Sequence, residues 1–346
     1  MSYKDSGVDE GVASSWVEAI SKGFDGAQSD LKKQMLSGVG DYASVFALDE
    51  KTCIATACDG VGTKLLWTIQ GLGTVEDLAQ DLLAMTANDL LCVGAKPTLF
   101  LDYMAVGGAD LLKKNGLLSG FVSALAQHCL KTGQLLVGGE TAQLPDLYQG
   151  SHFDLAGFGV GVMSREDYLD IDLVKEGDEL WAWPSSGPHS NGYSWLRKIF
   201  CHKADAEIIR TQLMPPTRLY VNEFNALRAE LKAKSSRSVL HAAYHITGTG
   251  FRNLLRKQPK DRELGFRLSL EGLPKPSWVE TLEERVDPSK VQDLYETFNM
   301  GWGLGLLFDK DFSAREASFL TSIGLHRLGD VIAEKTVYIG DSVFKA

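Results

Sequence analysis

The chain lacks a cysteine pair at zinc-site spacing, a long apolar run and a signal-peptide pattern at its N-terminus. Its five cysteines (Cys53, Cys58, Cys92, Cys129 and Cys201) form no CxxC motif and are odd in number, which predicts reduced thiols and argues against structural zinc. No apolar stretch approaches the roughly 20 residues of a membrane-spanning helix. The first residues lack the basic and apolar regions of a secretory signal. We therefore expect a cytoplasmic protein without a membrane partner.

Positive charge is also scarce. The chain has 35 Lys and Arg against 45 Asp and Glu, a net charge of -10, and a pI near 5.3. Such a balance argues against nucleic acid as a partner, although one local site can still attract a phosphorylated small molecule. Lys64 ends a glycine-rich stretch, but the full GxxxxGK[ST] pattern of a P-loop is absent.

The length of 346 residues predicts two domains. Acidic, loop-like sequence over 164–178 places the boundary there, giving an N-terminal domain of 1–168 and a C-terminal domain of 169–346. Both halves mix helices and strands, so the fold class is α/β or α+β. In the first half we predict strands at 53–58, 98–105, 135–137 and 153–163 and helices at 75–93 and 110–132. In the second we predict strands near 179–183, 238–246, 264–270, 301–308 and 326–340 and helices at 192–201, 217–232, 251–258 and 311–323.

Carboxylates beside small residues suggest a metal site. Asp59 and Glu140 each follow an apolar run that resembles a strand, and Asp89 lies among apolar residues near the end of the predicted helix 75–93. A carboxylate in such surroundings needs a partner. Magnesium binds hard oxygen ligands and shares them with substrate phosphates. We therefore predict that Asp59, Asp89 and Glu140 bind metal, with Asp41 as a possible fourth ligand, although each alone is more often a turn or cap residue.

The predicted helix 75–93 carries Asp77, Asp81, Ala84 and Asn88 on one face, opposite Leu82 and Met85. A solvated acidic face is the ordinary interpretation of this pattern. A ligand-facing surface is the alternative.

The segment 185–192 resembles a phosphate-binding loop because small hydroxylated residues precede a predicted helix, whose N–H groups and dipole attract anions. A capped helix after a proline turn explains the same residues. His189 and Asn191 add two polar groups to this loop. His245 lies between an apolar strand and a Thr-Gly-Thr-Gly turn, where a structural role and a ligand-facing role both remain open.

The predicted strand 153–163 places Gly157, Gly159 and Gly161 on one face by the period-2 rule. Bare glycine in a strand indicates that something packs close to the backbone. An internal helix and a second copy of the chain are the two candidates.

Taken together, these residues resemble the phosphoribosylformylglycinamidine cyclo-ligase (aminoimidazole ribonucleotide synthetase) family. The most specific matches are the strings 186–193, Ser-Gly-Pro-His-Ser-Asn-Gly-Tyr, and 137–142, Val-Gly-Gly-Glu-Thr-Ala. Further matching segments run almost end to end: 3–9, 59–65, 88–90, 100–103, 154–162, 216–218, 245–251 and 297–301.

The resemblance implies an N-terminal domain that dimerises through its sheet into a barrel, with a C-terminal α/β domain completing the active site. It implies ATP-dependent ring closure of formylglycinamidine ribonucleotide, a homodimer, and ATP and Mg²⁺ as cofactors, with K⁺ as a further candidate. The residues that it assigns to ATP and its phosphates are Asp41, Asp59, Gly60, Thr63, Lys64, Gly139, Glu140 and Thr141. Those assigned to the substrate are Asp81, Ser185, Ser186, Gly187, Ser190 and Arg218, and the catalytic residues are His189, Asn191 and His245.

Three positions depart from the family pattern. Gly40-Asp41-Tyr42-Ala43-Ser44 replaces a Gly-Gly-Phe-Gly-Ala stretch and is similar to related kinases, Gln143 replaces a glutamate, and Thr249 replaces a glycine. Thiamine-phosphate kinase and selenophosphate synthetase are therefore alternatives from the same superfamily, although an N-terminal reactive cysteine is missing for the second. A non-catalytic nucleotide-binding protein is the alternative from another class.

Overall fold

The computed structural model describes residues 7, 10–25, 30–108, 117–234 and 239–345. Most of the family-like segment 3–9 and the beginning of the predicted helix 110–132 lie outside these residues. No helix within the described ranges is long and apolar enough to cross a membrane. The described residues form two mixed sheets with helices packed on them, a two-domain α/β fold.

The strands, in chain order, are β1 Met35–Ser37, β2 Ser44–Ala47, β3 Thr52–Gly60, β4 Lys96–Val106, β5 Leu135–Gln143, β6 Phe153–Ser164, β7 Glu179–Pro184, β8 Leu240–His245, β9 Gly265–Leu268, β10 Trp302–Phe308, β11 His326–Ile332, β12 Thr336–Ile339 and β13 Ser342–Lys345. The α-helices are α1 Glu10–Asp25, α2 Leu65–Ile69, α3 Val75–Leu91, α4 Leu117–Lys131, α5 Tyr193–Ile199, α6 Val221–Ala233, α7 Ser277–Arg285, α8 Val291–Thr297 and α9 Lys310–Ser322. Short helical turns fill Lys203–Asp205, Ala206–Ile208 and Ile209–Leu213, and the predicted helix 251–258 is the 3₁₀ segment Gly250–Leu255.

The N-terminal sheet has the strand order β1-β2-β3-β6-β4-β5. Strand β6 lies at its centre, antiparallel to both β3 and β4, whereas β4 and β5 run parallel. The α3 helix begins at a Thr74 cap, whose hydroxyl accepts a hydrogen bond from the Asp77 N–H. One face of α3 packs on this sheet, and Leu82 and Leu90 contact its central strand.

The glycine face of β6 is covered by the chain's own helix. A Cβ added at Gly157 would lie 2.6 Å from the Phe100 ring, and one at Gly159 would lie 3.0 Å from the Thr86 hydroxyl of α3. The glycines therefore allow α3 to approach the sheet closely. The prediction that a second copy packs on this face is wrong, and the internal helix is the correct alternative.

The opposite face of the same sheet is apolar and exposed. Phe158 and Val162 on β6, Leu101 on β4 and Val137 on β5 point outward with 36–51% of their surface accessible. A sheet with one solvated face normally presents polar side chains there. This outer apolar face, defined by those residues, therefore has the composition of a contact surface.

The C-terminal sheet has the order β13-β12-β9-β11-β7-β10-β8. All its pairs are antiparallel except that of β12 with β9. Trp183, Trp195 and Trp302 are completely buried in the large core around it. Residues 165–178 connect the two sheets, and a division after residue 168 stays a prediction.

Candidate functional site

The helix α3 brings its polar residues to the boundary between the two domains. Asp81, Asn88 and Asp89 are seven and eight residues apart and so lie on one side of the helix. Asp81 and Asn88 have no exposed surface, and both contact residues of the C-terminal domain. The interpretation of this side as a solvated acidic face is therefore wrong.

Lys64 and Asp81 form a buried ion pair. The Lys64 ammonium lies 2.7 Å from Asp81 Oδ2 with neither side chain exposed, and it also donates to the Pro215 carbonyl at 2.9 Å. The other carboxylate oxygen accepts from the N–H and hydroxyl of Thr217 and from the Ser190 hydroxyl. These contacts use Asp81 and Lys64 to join the domains, and their assignment to substrate and to phosphate stays a prediction.

Three side chains, Asp89, His245 and Asn88, form a hydrogen-bonded chain with His245, the last residue of β8, in the middle. Its Nδ1 lies 2.8 Å from Asp89 Oδ1, and its Nε2 lies 3.3 Å from the amide nitrogen of Asn88. Asn88 Oδ1 accepts from the Tyr220 N–H at 3.1 Å, which orients the amide NH₂ toward His245 and the Arg218 carbonyl. Because that NH₂ can only donate, His245 Nε2 must accept, and the network places the proton on Nδ1, which donates to Asp89.

Asp59 lies next to this chain at the end of β3. Burial, followed by the negative charge of Asp89, raises the pKa of Asp59 to about 6. The Gly60 N–H donates to Asp59 Oδ1 at 2.7 Å. This hydrogen bond and His245 both act to lower the pKa of Asp59. Two carboxylates that disfavour each other's charge need a cation or a proton between them.

His189 is buried beside His245, and no described residue forms a hydrogen bond with its ring. Its ring lies 6.0 Å from the His245 ring, and neither of its nitrogens contacts a donor or acceptor among the described residues. Burial, and then His245, holds the pKa of His189 well below its usual range, so the ring is neutral at physiological pH. The Nδ2 of Asn191 is likewise buried without a partner among the described residues. The backbone of His189 is also strained, because its φ of 58° lies in the left-handed region that L-residues rarely adopt.

The remaining residues of the 185–192 loop are held by two other segments. The side chain of Asn299 accepts from the Ser185 hydroxyl at 3.2 Å and donates to the Gly187 carbonyl at 2.9 Å. The Ser186 hydroxyl donates to the Pro216 carbonyl. A short helix, α5, does begin at Tyr193, after Gly192 at φ 74°. Asn299 was not among the predicted site residues, although it belongs to the family-like segment 297–301.

Arg218 lies at the same boundary but is already engaged. Its guanidinium donates to the Pro184 carbonyl at 3.1 Å, pairs with Glu223 and lies over the Tyr220 ring. Its assignment to the substrate stays a prediction.

The loop that carries Asp41 is held by two cations that the sequence did not indicate. Arg256 donates to the carbonyls of Gly40 and Asp41 at 2.7 and 2.9 Å. The buried Lys257 lies 3.4 Å from Asp41 Oδ1 and donates to the Cys92 carbonyl. Asp41 thereby borders a cleft of about 630 Å³ between the loop 36–41, the connection 165–172 and residues 256–260. No pattern in the sequence links Arg256 to a loop 215 residues away.

Glu140 does not join Asp59 and Asp89 within one chain. Strands β6 and β4 separate β5 from β3, a distance of about 14 Å. Asp59 pairs with Gly157 on the inner face, whereas Glu140 is in register with Tyr103 and Ala156 on the outer face. No group of three or more His, Cys, Asp or Glu residues suited to a metal occurs in the described part of the chain. Within one chain the described structure therefore does not bring Glu140 to Asp59 and Asp89, and the assignment of the three carboxylates to a metal stays a prediction.

The other residues predicted to bind phosphate also fall into two groups, one near Asp59 and one on β5 with Glu140. Gly60 and Thr63 follow Asp59, and Thr63 contacts the Ser194 hydroxyl at 3.0 Å. Gly139 and Thr141 lie on exposed β5 with Glu140. A Cβ at Gly139 would meet Asp102 at 2.2 Å, so only glycine fits there.

Comparison with known proteins agrees with this architecture. The AIR synthase related protein N-terminal domain matches residues 40–163, and the corresponding C-terminal domain matches residues 175–339. A phosphoribosylformylglycinamidine cyclo-ligase from Thermoanaerobacter pseudethanolicus (strain ATCC 33223 / 39E) is 33% identical over 363 residues, covering 99% of this chain and 98% of the relative.

Solved structures share the fold at lower identity. Thiamine monophosphate kinase from Aquifex aeolicus has a TM-score of 0.61 at 16% identity, with 96% of this chain and 98% of that chain covered. A ThiL protein complexed with AMPPCP and TMP has a TM-score of 0.64 at 14% identity, with 96% and 93% covered. From the end-to-end identity with the Thermoanaerobacter enzyme and the match of both domains, the chain belongs to the phosphoribosylformylglycinamidine cyclo-ligase family of AIR synthase related proteins.

Proposed function

We propose that the protein catalyses the ATP-dependent closure of formylglycinamidine ribonucleotide to 5-aminoimidazole ribonucleotide, with release of ADP and phosphate, in purine biosynthesis. The observation that carries this proposal is the arrangement at the domain boundary, in a chain of this family. The carboxylates of Asp59 and Asp89 lie beside His245, and His189 presents a neutral, unpartnered imidazole next to it.

In the proposed reaction the γ-phosphoryl group of ATP passes to the formyl oxygen of the substrate. The amidine nitrogen then attacks the formyl carbon, and phosphate leaves as the imidazole forms. Such chemistry depends on positioning and on charge neutralisation more than on a protein nucleophile. We assign the buried donors and acceptors of His189 and Asn191 to the substrate, because a buried polar group without a partner is costly unless a ligand supplies one.

The Asp59 and Asp89 carboxylates fit Mg²⁺, which proteins commonly hold through one or two carboxylates and the phosphates of the substrate. Bound there, the ion would neutralise phosphate charge during phosphoryl transfer. The ATP assignment is supported by the family and by the related fold of the ThiL protein solved with AMPPCP. Asp41, held by Lys257, is our further candidate at this site.

We also propose a homodimer in which the outer apolar face of the N-terminal sheet contacts a second copy. Burying Phe158, Val162, Leu101 and Val137 would remove exposed apolar surface, and covering β5 would protect a sheet edge. Because Glu140 lies on that outer side, we assign it to the surface that contacts the second copy. We place the protein in the cytoplasm, which suits its free cysteines.

The direct test measures ATP consumption by the purified protein with and without formylglycinamidine ribonucleotide. ADP and phosphate should appear in step with aminoimidazole ribonucleotide. Equal ATP hydrolysis in both cases would refute the assignment. Stimulation by thiamine monophosphate instead would move the protein to the kinase branch of the fold.

A further inference from the structure

A second cleft lies far from the candidate active site. It has a volume of about 560 Å³ and is formed by the beginning of β3, the end of β6 and the helix α6. Asp59 lies seven residues further along β3 than Thr52, which lines the cleft, a separation of about 23 Å along the strand. None of the residues assigned above to ATP or substrate lines this second cleft, and Val162 is the one described lining residue that it shares with the outer apolar face.

Positive charge enters the cleft from both sides. Lys51 and Lys96 come from the sheet, and Arg228 and Lys232 come from α6. Among the described lining residues the single carboxylate is Asp167. It already accepts from Arg228 at 2.8 Å and from the Ser164 hydroxyl at 2.6 Å. Four cations therefore face one engaged acid, in a chain whose net charge is -10.

The fold fixes these positions on both walls. Asn225, Arg228, Ala229 and Lys232 are spaced by three, four and seven residues, so they form one stripe along α6. On the sheet, Thr52 pairs with Ser164 and Lys96 pairs with Val162. Ala229 contributes a small side chain to this wall of the cleft.

The lysines of the cleft have no acidic partner in the part of the chain that the structure describes. No carboxylate of a described residue lies within ion-pair distance of Lys51, Lys96 or Lys232, whereas Arg228 is fixed by Asp167. A concave surface lined by one sign of charge focuses the electrostatic field and concentrates counter-ions. Arg228 offers a fixed guanidinium fork, and mobile ammonium groups around it complete the geometry that proteins use for phosphate.

From this cleft we propose a binding site for the dianionic phosphate group of a small metabolite. The volume lies in the range of about 300–1,000 Å³ typical of small-molecule sites. Buried Met163 and Phe224 form part of its lining, while Thr52, Ser164 and Asn225 offer polar groups to a hydroxylated body. The acidic character of the whole chain opposes a long polyanion. The site is independent of the proposed cyclisation.

The test follows hydrogen–deuterium exchange of the full-length protein, because this method separates the cleft from the active site. Ribose 5-phosphate should protect peptides over 49–53 and 222–233, and uncharged ribose should not. Inorganic phosphate forms the second arm. Stronger binding of ribose 5-phosphate identifies a phosphate monoester as the ligand, whereas equal affinity identifies free phosphate.

Variants then test the chemistry. Lys51→Gln combined with Lys232→Gln should weaken binding at least tenfold, because two charge-assisted contacts are lost. Ala229→Met should also weaken binding while keeping every charge, since it places a larger side chain in the lining of the cleft. Lys203→Gln, on an exposed turn of the same domain, is the matched control. Unchanged affinity in both cleft variants, protection by ribose alone, or binding of only an RNA oligonucleotide would overturn the proposal.

Discussion

The amide of Asn88 fixes the protonation of His245 from across the domain boundary. Its Nδ2 lies 3.3 Å from His245 Nε2, while its Oδ1 is held by the Tyr220 N–H. The helix of one domain therefore determines which nitrogen of a histidine in the other domain carries the proton. With Nδ1–H directed at Asp89, His245 contacts this carboxylate while its ring lies 6.0 Å from that of His189.

Replacing Asn88 should disturb His245 before it disturbs the fold as a whole. Asn88→Ala leaves the Tyr220 N–H and the Arg218 carbonyl without partners, which costs roughly 1–3 kcal/mol of unfolding free energy. It also removes the donor to His245 Nε2, so ¹⁵N chemical shifts of that ring should move toward a mixture of tautomers. Gln80→Ala is the control, because Gln80 lies on the same helix and donates to the Thr217 carbonyl. An unaltered His245 spectrum in Asn88→Ala would remove Asn88 from this role.

The raised pKa of Asp59 predicts a pH-dependent stability penalty in the metal-free protein. The folded pKa of about 6 exceeds the ordinary value of 3.8, so the folded state holds the proton more tightly. Stability therefore falls as pH rises between these values, by about 3 kcal/mol in total. Asp59→Asn removes the penalty and should be more stable than wild type above pH 6 and equal to it near pH 4. Urea unfolding at both pH values measures this, with Asp154→Asn on the exposed side of β6 as control. A constant difference at both pH values would contradict the prediction.

Use of formylglycinamidine ribonucleotide and binding of ATP should be weakened by different variants. His189→Ala should impair use of formylglycinamidine ribonucleotide and leave ATP binding largely intact. Asp59→Asn and Asp89→Asn should weaken binding of the magnesium nucleotide, because an amide cannot neutralise a cation as a carboxylate does. Calorimetric titration with each ligand separates these effects. Equal loss of both affinities in every variant would show that these residues are structural.

Local sequence patterns predicted those parts of the fold that depend on neighbouring residues. The alternation of Phe153–Ser164 and the helical spacing of Val75–Leu91 are both confirmed. The strands β1 and β2 were missed because three or four residues carry too weak a period, and the longer helices α1 and α7 were missed as well. The side of α3 that carries Asp81 and Asn88 was interpreted as facing solvent, but it contacts the C-terminal domain. The spacing of polar residues along a helix does not show whether they face solvent or a second domain.

The parts of the candidate site that depend on long-range contacts could not be predicted from the sequence. The segment 185–192 and His245 were identified from local motifs, and the structure brings His189 and His245 together. The contact of Arg256 with the Asp41 loop joins residues 215 positions apart and has no local signal. The position of Glu140 depends on strand order, which the spacing of carboxylates along the chain does not determine.

Breaking the Lys64–Asp81 pair should strongly destabilise the protein. Asp81→Asn leaves the buried Lys64 ammonium without its counter-charge, which costs roughly 3–5 kcal/mol. The double variant Lys64→Met with Asp81→Leu should recover much of that loss, since well-packed apolar side chains often replace a buried ion pair at little cost. Denaturant unfolding compares the variants. Glu18→Gln in the exposed Glu18–Lys22 pair should leave the midpoint unchanged. A midpoint for Asp81→Asn equal to wild type would show that Lys64 becomes neutral or solvated.

The outer apolar face should control assembly, and the glycine face should control folding. Phe158→Asp introduces a charge on the outer face and should convert a dimer into monomers that remain folded. Gly159→Val acts one residue further along the strand, where its first side-chain atom would lie 3.0 Å from the Thr86 hydroxyl. It should therefore lower the unfolding midpoint. Light scattering at micromolar concentration and thermal unfolding measure the two effects.

If the active site is shared between two copies, activity should depend on the dimer. If activity requires the dimer, Phe158→Asp should lose activity together with the dimer while its monomers stay folded. Leu173→Asp, at an exposed apolar residue outside the face, is the control for added charge and should leave assembly intact. A wild-type protein that is monomeric and fully active would refute the dimer.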